Sequence, residues 1–258
     1  MLQLLGIGTL IAVVAFALVW SVCVRIRNYG FLDVAFSYGV AVLAPLYAAA
    51  APAFGLRQAL FTTIGMAWSL RLGTYILVRV LRHHPEEDVR YEKLRQMWPG
   101  PGMFLLFFEM QALLVVLFSL PFLFAAFHTE PSMSPLEIAG LSIAALALLG
   151  ESVADAQLKR FKADPSNKGA VCEAGLWRYS RHPNYFFESL VWWGIFLAAV
   201  GAPFGWITLA CPLLMLYFLF KVTGIPLTEE YAIKTKGEAY RRYQRTTSVF
   251  IPWFRKSP

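Results

Sequence analysis

An all-α membrane protein of about seven transmembrane helices is the fold class predicted, on three observations. Apolar residues make up 58% of the 258-residue chain and mean hydropathy is +0.54, against roughly 45–50% apolar residues in a soluble domain. Those residues gather into runs of membrane length. The cations gather between alternate runs.

A helix crossing the hydrocarbon core needs about 20 predominantly apolar residues. The first run, 3–24, lies within LQLLGIGTLIAVVAFALVWSVCV, residues 2–24. It has no basic segment before it and no small-x-small cleavage site before a polar mature start, so it is expected to stay as a span. Further spans are expected at 34–53, 58–81, 103–127, 135–157, 185–201 and 204–222. Only the turn from Gly201 to Gly205 separates the last two, which predicts a helical hairpin. Pro121 and Pro212 fall inside spans, where membrane helices tolerate a kink.

With seven spans, 21 of the 23 lysines and arginines fall on one side, in the loops after spans one, three and five and in the tail. Arg57 falls on the other side and Arg71 lies within span three. Cationic loops are retained in the cytoplasm, so the N-terminus is expected outside and the C-terminus inside. No repeat or low-complexity stretch divides residues 1–258, which read as one membrane domain. Its larger cytoplasmic pieces are 158–184 and 223–258.

The net charge of +7 is accounted for by these orienting loops, with no nucleic-acid partner implied. Cys23, Cys172 and Cys211 are far apart and contain no C-x-x-C, which argues against a disulfide framework or a thiolate metal site. Neither G-x-G-x-x-G nor G-x-x-x-x-G-K-[ST] occurs, and G-x-S-x-G is absent. His83 and His84 are adjacent and point apart on a helix, while His128 is isolated. No metal is expected.

Ionisable groups at membrane depth are costly and mark function or structural clamps. They are Asp33, Arg71, Glu109, Glu151, Asp155 and Glu188. Glu151 and Asp155 are four residues apart and share a helix face. Arg71, Tyr75 and Arg79 lie on one stripe of span three. Clustered toward one end of the bundle, the group predicts a polar cavity. The densest patch is GLWRYSRHPNYFFESLVWW, residues 175–193. Arg178, Arg181 and His182 suit phosphates or a carboxylate. Asn184 can donate and accept together, and Glu188 follows one turn later. An interfacial aromatic-basic anchor would explain Arg178, Tyr179 and Trp192, but not Asn184 and Glu188 in the same short run.

At GLWRYSRHPNYFFE the sequence resembles the C-terminal region of the steroid 5α-reductase superfamily, in particular its bacterial branch. DAQLKRFKADPSNKG and the tail GIPLTEEYAIKTKGEAYRRYQRTTSVFIPW extend the likeness over about residues 150–254. LDVAFSYG, SLRLGTYILVR and HHPEEDVRY look like the same branch. Isoprenylcysteine carboxyl methyltransferases share a similar R-H-P-x-Y and acidic tail.

The resemblance implies seven helices in a bacterial inner membrane, with NADPH held in a cytoplasm-facing cavity. Asp155, Asn184 and Glu188 match the family's cofactor positions, and Glu151, Lys162, Arg178, Tyr179, Arg181, His182, Glu229, Glu230 and Tyr243 are further candidates. Animal members that act on steroids carry Asn where Glu151 aligns and Arg where Lys162 aligns. They hold the substrate ketone with a Glu in span two and a Tyr in span three. Asp33 best matches the first, while Arg71, with Tyr75 one turn on, falls near the second.

The expected activity is NADPH-dependent reduction of an activated C=C bond in an apolar substrate, such as a 3-oxo-Δ4 steroid, entering from membrane lipid. Asp33 is expected to pair with Arg71 or Tyr75, with Tyr75 or protonated Asp33 as proton donor, Arg71 as enolate stabiliser and Glu109 as the next candidate donor. The alternatives are a methyltransferase using S-adenosylmethionine on a lipid or prenylated substrate, and a non-catalytic scaffold.

Overall fold

The computed structural model describes residues 1–98 and 100–256, which form helices joined by short turns and no strand. Six segments among them are long and apolar enough to cross a membrane: Leu2–Ile26, Phe31–Ala49, Leu56–His83, Pro101–Ala126, Pro135–Ala163 and Gly205–Lys236. The remaining span expected, 185–201, is a helix of 17 residues, Pro183–Ala199. At 1.5 Å per residue it is about 25 Å long, at the short end of what can cross. The chain divides into two compact units, one comprising Met1–Met133 with Ala199–Thr208, the other Ser134–Ala198 with the chain from Leu209 onward.

The first unit contains α1 (Leu2–Ile26), α2 (Phe31–Ala49), α3 (Leu56–His83), α4 (Val89–Met97) and α5 (Pro101–Ala126). Small residues let its helices approach closely, as apolar packing in lipid requires. Gly39 lies against Val115, Gly65 against Phe122 and Gly73 against Tyr38. Ser69 of α3 enters the hydrogen-bond ladder of α2, donating to the Ser37 carbonyl and accepting from the Ala41 N–H. Tyr47 reaches Ser119 at 3.2 Å in the same buried interior. Arg57, the lone cation on its side of the predicted topology, is buried. Its guanidinium donates to the carbonyls of His128, Glu130 and Ser132, so it caps the chain leaving α5.

The second unit contains α6 (Pro135–Ala163), α7 (Pro183–Ala199), α8 (Ala210–Tyr217), α9 (Ile225–Lys236) and α10 (Glu238–Thr246). A capping box opens α6, with the Ser134 hydroxyl accepting from Glu137 N–H and the Glu137 carboxylate accepting from Ser134 N–H. α6 and α7 run antiparallel at close range. A Cβ on Gly140 would meet the Ala198 nitrogen at 2.5 Å and the Gly194 carbonyl oxygen at 2.6 Å. Further along, Gly150 lies against Phe187, and Asp155 reaches Asn184. The intervening loop folds back onto the end of α6. There Trp177 donates to the Ala154 carbonyl at 2.9 Å and Leu176 N–H donates to Gln157 at 2.9 Å. A π-helical turn, Phe218–Val222, extends α8 to a corner at Gly224. Gly237, at φ 55°, allows the sharp passage from α9 to α10. Tyr240 and Tyr243 of α10 pack on Ala232, with Val171 and Ile233 alongside.

Candidate functional site

The close antiparallel contact of α6 and α7 sets the register of the acidic groups. Asn184, in the first turn of α7, donates its amide N–H to Asp155 Oδ1 at 3.2 Å. Glu188, one turn on, accepts from the Trp192 indole at 3.2 Å. Glu188 and Glu151 are both buried, and each is the next residue after the Phe187–Gly150 contact. The Asn184 side-chain oxygen is buried and has no hydrogen-bond partner among the described residues. A buried acceptor left unmade costs about 1–3 kcal/mol. This seam is rich in acceptors and matches ligand groups that donate N–H or O–H.

Immediately before Asn184, Arg181 and His182 engage the interior. Arg181 Nε donates to Glu229 at 2.7 Å, and its Nη1 donates to the carbonyls of Gln244 and Thr247 at 2.9 and 2.8 Å. His182 Nε2 lies 3.2 Å from the same Glu229 oxygen, while Gln244 donates to the other at 2.8 Å. His182 is stacked on Tyr185. Tyr243 donates to the carbonyls of Trp177 and Ser180, and burial pushes its phenol well above the usual range. These residues form a staple that fixes the start of α7 to α9 and α10. Arg181 was expected to face an anion; Nε and Nη1 of its fork instead bind protein. Arg178, Tyr179 and Lys162 are exposed, and Glu230 is exposed beside Lys234 at 2.6 Å.

A second polar cluster lies in the first unit. Asp33, in the first turn of α2, accepts from Arg90 Nη2 at 2.6 Å and from the Tyr91 hydroxyl at 2.8 Å, with Arg79 at 3.8 Å. The partners therefore come chiefly from α4, not from Arg71 or Tyr75. Two cationic arms, Arg79 from α3 and Arg90 from α4, reach one carboxylate across the α3–α4 turn. Arg90 is in turn held by Asp88, which caps α4 through the Arg90 N–H. Burial pushes the Asp88 carboxyl up, but the hydrogen bonds and charge of Arg90 outweigh it and hold the group below the usual carboxylate range. Nearby, Glu87 binds Arg95 at 2.9 Å, and Arg95 lies over the Tyr29 ring, which stacks on Phe104. Arg71 is half-buried and Tyr75 is 53% exposed. Glu109 buries one carboxyl oxygen that has no hydrogen-bond partner among the described residues.

Sequence reasoning missed Asp88, Arg90, Tyr91, Tyr240 and Gln244. The first carried a readable signal, because an Asp just ahead of V-R-Y-E is a favoured helix cap. The others are defined only by the tertiary fold. Among the described residues no three histidines, cysteines or carboxylates converge as a metal site.

Residues 19–247, which include both clusters, match the family described as protein of unknown function, DUF1295. The chain belongs to that family. It is also similar to the protein named Probable O-methyltransferase ustE from Ustilaginoidea virens, with 32% identity over 107 residues. That alignment covers 41% of this chain and 36% of the relative, so the chain spans about a third of the relative's length. No solved structure matches the chain.

Proposed function

We propose that this DUF1295 protein is a membrane enzyme that reduces an activated C=C bond of an apolar, bilayer-dissolved substrate with NADPH. The observation that carries the reading is the buried, unmatched oxygen of Asn184 beside Asp155. A nicotinamide carboxamide supplies an N–H for such an acceptor, and ribose hydroxyls supply O–H groups for the acidic seam. In this reading Asn184, Asp155, Glu188 and Glu151 hold the nicotinamide-ribose end. The exposed cation Lys162 lies toward the phosphates, with Glu230 at the margin. Arg181, His182, Glu229 and Tyr243 are positioning residues, which hold Asn184 in register. The resemblance of GLWRYSRHPNYFFE and the tail to the steroid 5α-reductase superfamily supports the same chemistry.

NADPH, when bound, supplies the hydride for the β-carbon of an enone. The enolate that forms as the hydride arrives needs a charge stabiliser and a proton donor. Asp33, engaged by Arg90 and Tyr91, holds α4 against α2.

The O-methyltransferase likeness favours a second reading, in which the acidic seam receives the ammonium and ribose of S-adenosylmethionine. Calorimetry on purified protein in lipid nanodiscs separates the two. The reductase reading expects NADPH binding that Asn184→Ala weakens by about 1–3 kcal/mol, the scale of one buried polar partner. NADPH affinity unchanged in that variant, or binding of S-adenosylmethionine alone, overturns it.

A further inference from the structure

The chain after α10 is a short extended strap that is rigidly bonded yet turns large apolar side chains outward. Its backbone is fixed along its length. Arg181 N–H donates to the Ser248 carbonyl at 2.8 Å, the Ser180 hydroxyl donates to the Phe250 carbonyl at 2.8 Å, and Trp253 N–H donates to the Tyr179 carbonyl at 2.9 Å. Lys256 N–H donates to the Thr246 carbonyl at 2.9 Å, and Arg255 forms an ion pair with Glu173. Phe250 packs inward on Phe186 and Phe220. Ile251, Trp253 and Phe254 nevertheless remain 60%, 67% and 78% exposed, next to Tyr179 at 39%. A frayed tail would expose such residues by default; this one is held in place while exposing them.

Cations border the apolar group. Arg178 adjoins Tyr179, Lys256 ends the strap, and both are exposed with no carboxylate partner among the described residues. Arg242 is 63% exposed and lies 4.0 Å from Glu173, which also serves Arg255. Tryptophan, other aromatics and arginine on one surface match the headgroup zone of a bilayer, where rings sit between hydrocarbon and water. Basic groups there are drawn to anionic lipids. A second copy of the chain fits less well. A two-fold contact through this patch would bring each copy's unneutralised cations against the other's.

We propose that the strap, with Tyr179 and the cations around it, seats in the headgroup region of an anionic membrane leaflet. Its backbone bonds go to Tyr179, Ser180 and Arg181, the residues leading into α7. Seating the strap therefore couples the lipid surface to the loop that leads into α7 and Asn184.

The test uses the full chain with Phe254→Cys labelled by an environment-sensitive fluorophore; Cys23, Cys172 and Cys211 are buried and shielded from the reagent. The labelled protein is reconstituted in phosphatidylcholine vesicles with or without phosphatidylglycerol. Blue-shifted emission that is quenched by lipid-borne nitroxide, grows with phosphatidylglycerol and falls at high salt supports the proposal. A paired Arg178→Glu and Lys256→Glu change is expected to remove the dependence on phosphatidylglycerol while the protein remains folded by circular dichroism. Emission typical of water, quenched by iodide in both vesicle types, overturns it. So does a shift that follows the protein-to-lipid ratio and ignores lipid charge, which would indicate a second copy.

Discussion

Arg181→Ala separates a positioning role from cofactor contact. The side chain makes three hydrogen bonds within the protein, to Glu229 and to the Gln244 and Thr247 carbonyls. The pair is well shielded, at 10% side-chain exposure for Arg181 and 16% for Glu229. Removing one member of a buried ion pair costs on the order of 3–5 kcal/mol, because the other charge is left in a poor environment. Lys234→Ala is the matched control. Its pair with Glu230 is 68% and 55% exposed, and exposed pairs contribute about 0–1 kcal/mol. Thermal unfolding in detergent, followed by circular dichroism, is expected to show a large loss for Arg181→Ala and almost none for Lys234→Ala. Arg181→Lys keeps the charge but not the fork, so it should recover only part of the loss. A stability equal to the Lys234→Ala control would refute the staple, and a selective fall in NADPH affinity would return Arg181 to the cofactor.

Three other outcomes follow from the same structure. Gly140→Ala places a Cβ against the backbone of α7 and is expected to cost about 1–3 kcal/mol of stability by overpacking. Gly6→Ala, whose Cβ meets nothing within 4 Å, should be neutral or stabilising; equal effects would refute the tight seam. The Asp88 carboxyl is held below its ordinary value in the folded state, so its contribution is complete above the unfolded pKa of ~4 and is lost as pH falls through the folded one. Limited proteolysis near α4 should therefore accelerate at acid pH in the native protein, and Asp88→Asn should be susceptible already at neutral pH; a flat profile would dismiss the latch. Reporter fusions test whether α7 crosses: a cytoplasmic reporter at the C-terminus is expected to be active and one at the N-terminus silent, whereas the same side for both ends would remove α7 as a span.

The long apolar runs made most of the helices readable, because about 20 consecutive apolar residues have few alternatives to a membrane helix. The ends were less readable. The predicted 135–157 span continues to Ala163 because Gln157 and Ala154 receive the folded-back loop, a contact no local pattern encodes. α7 carries the expected apolar run but is only 17 residues long. Asn184 and Glu188 stood out in the sequence as polar residues opening an apolar helix, and the structure adds Asp155 as the amide's partner. Asp33 was recognised as needing a partner, but Arg90 lies 57 positions away on α4. Proximity of adjacent helices pointed instead to span three. Arg181 and Glu229 were legible as charged groups, yet their mutual engagement depends on α9 and α10 folding back at Gly224 and Gly237.

Single-turnover spectroscopy tests the central claim most directly. The protein in nanodiscs is loaded with NADPH and mixed with a 3-oxo-Δ4 steroid or a comparable apolar enone, while the reduced-nicotinamide absorbance near ~340 nm is followed. The account predicts that the absorbance decays with formation of the saturated ketone, and that Asn184→Ala needs more NADPH to reach the same amplitude. Unchanged absorbance together with methyl transfer from labelled S-adenosylmethionine would contradict it.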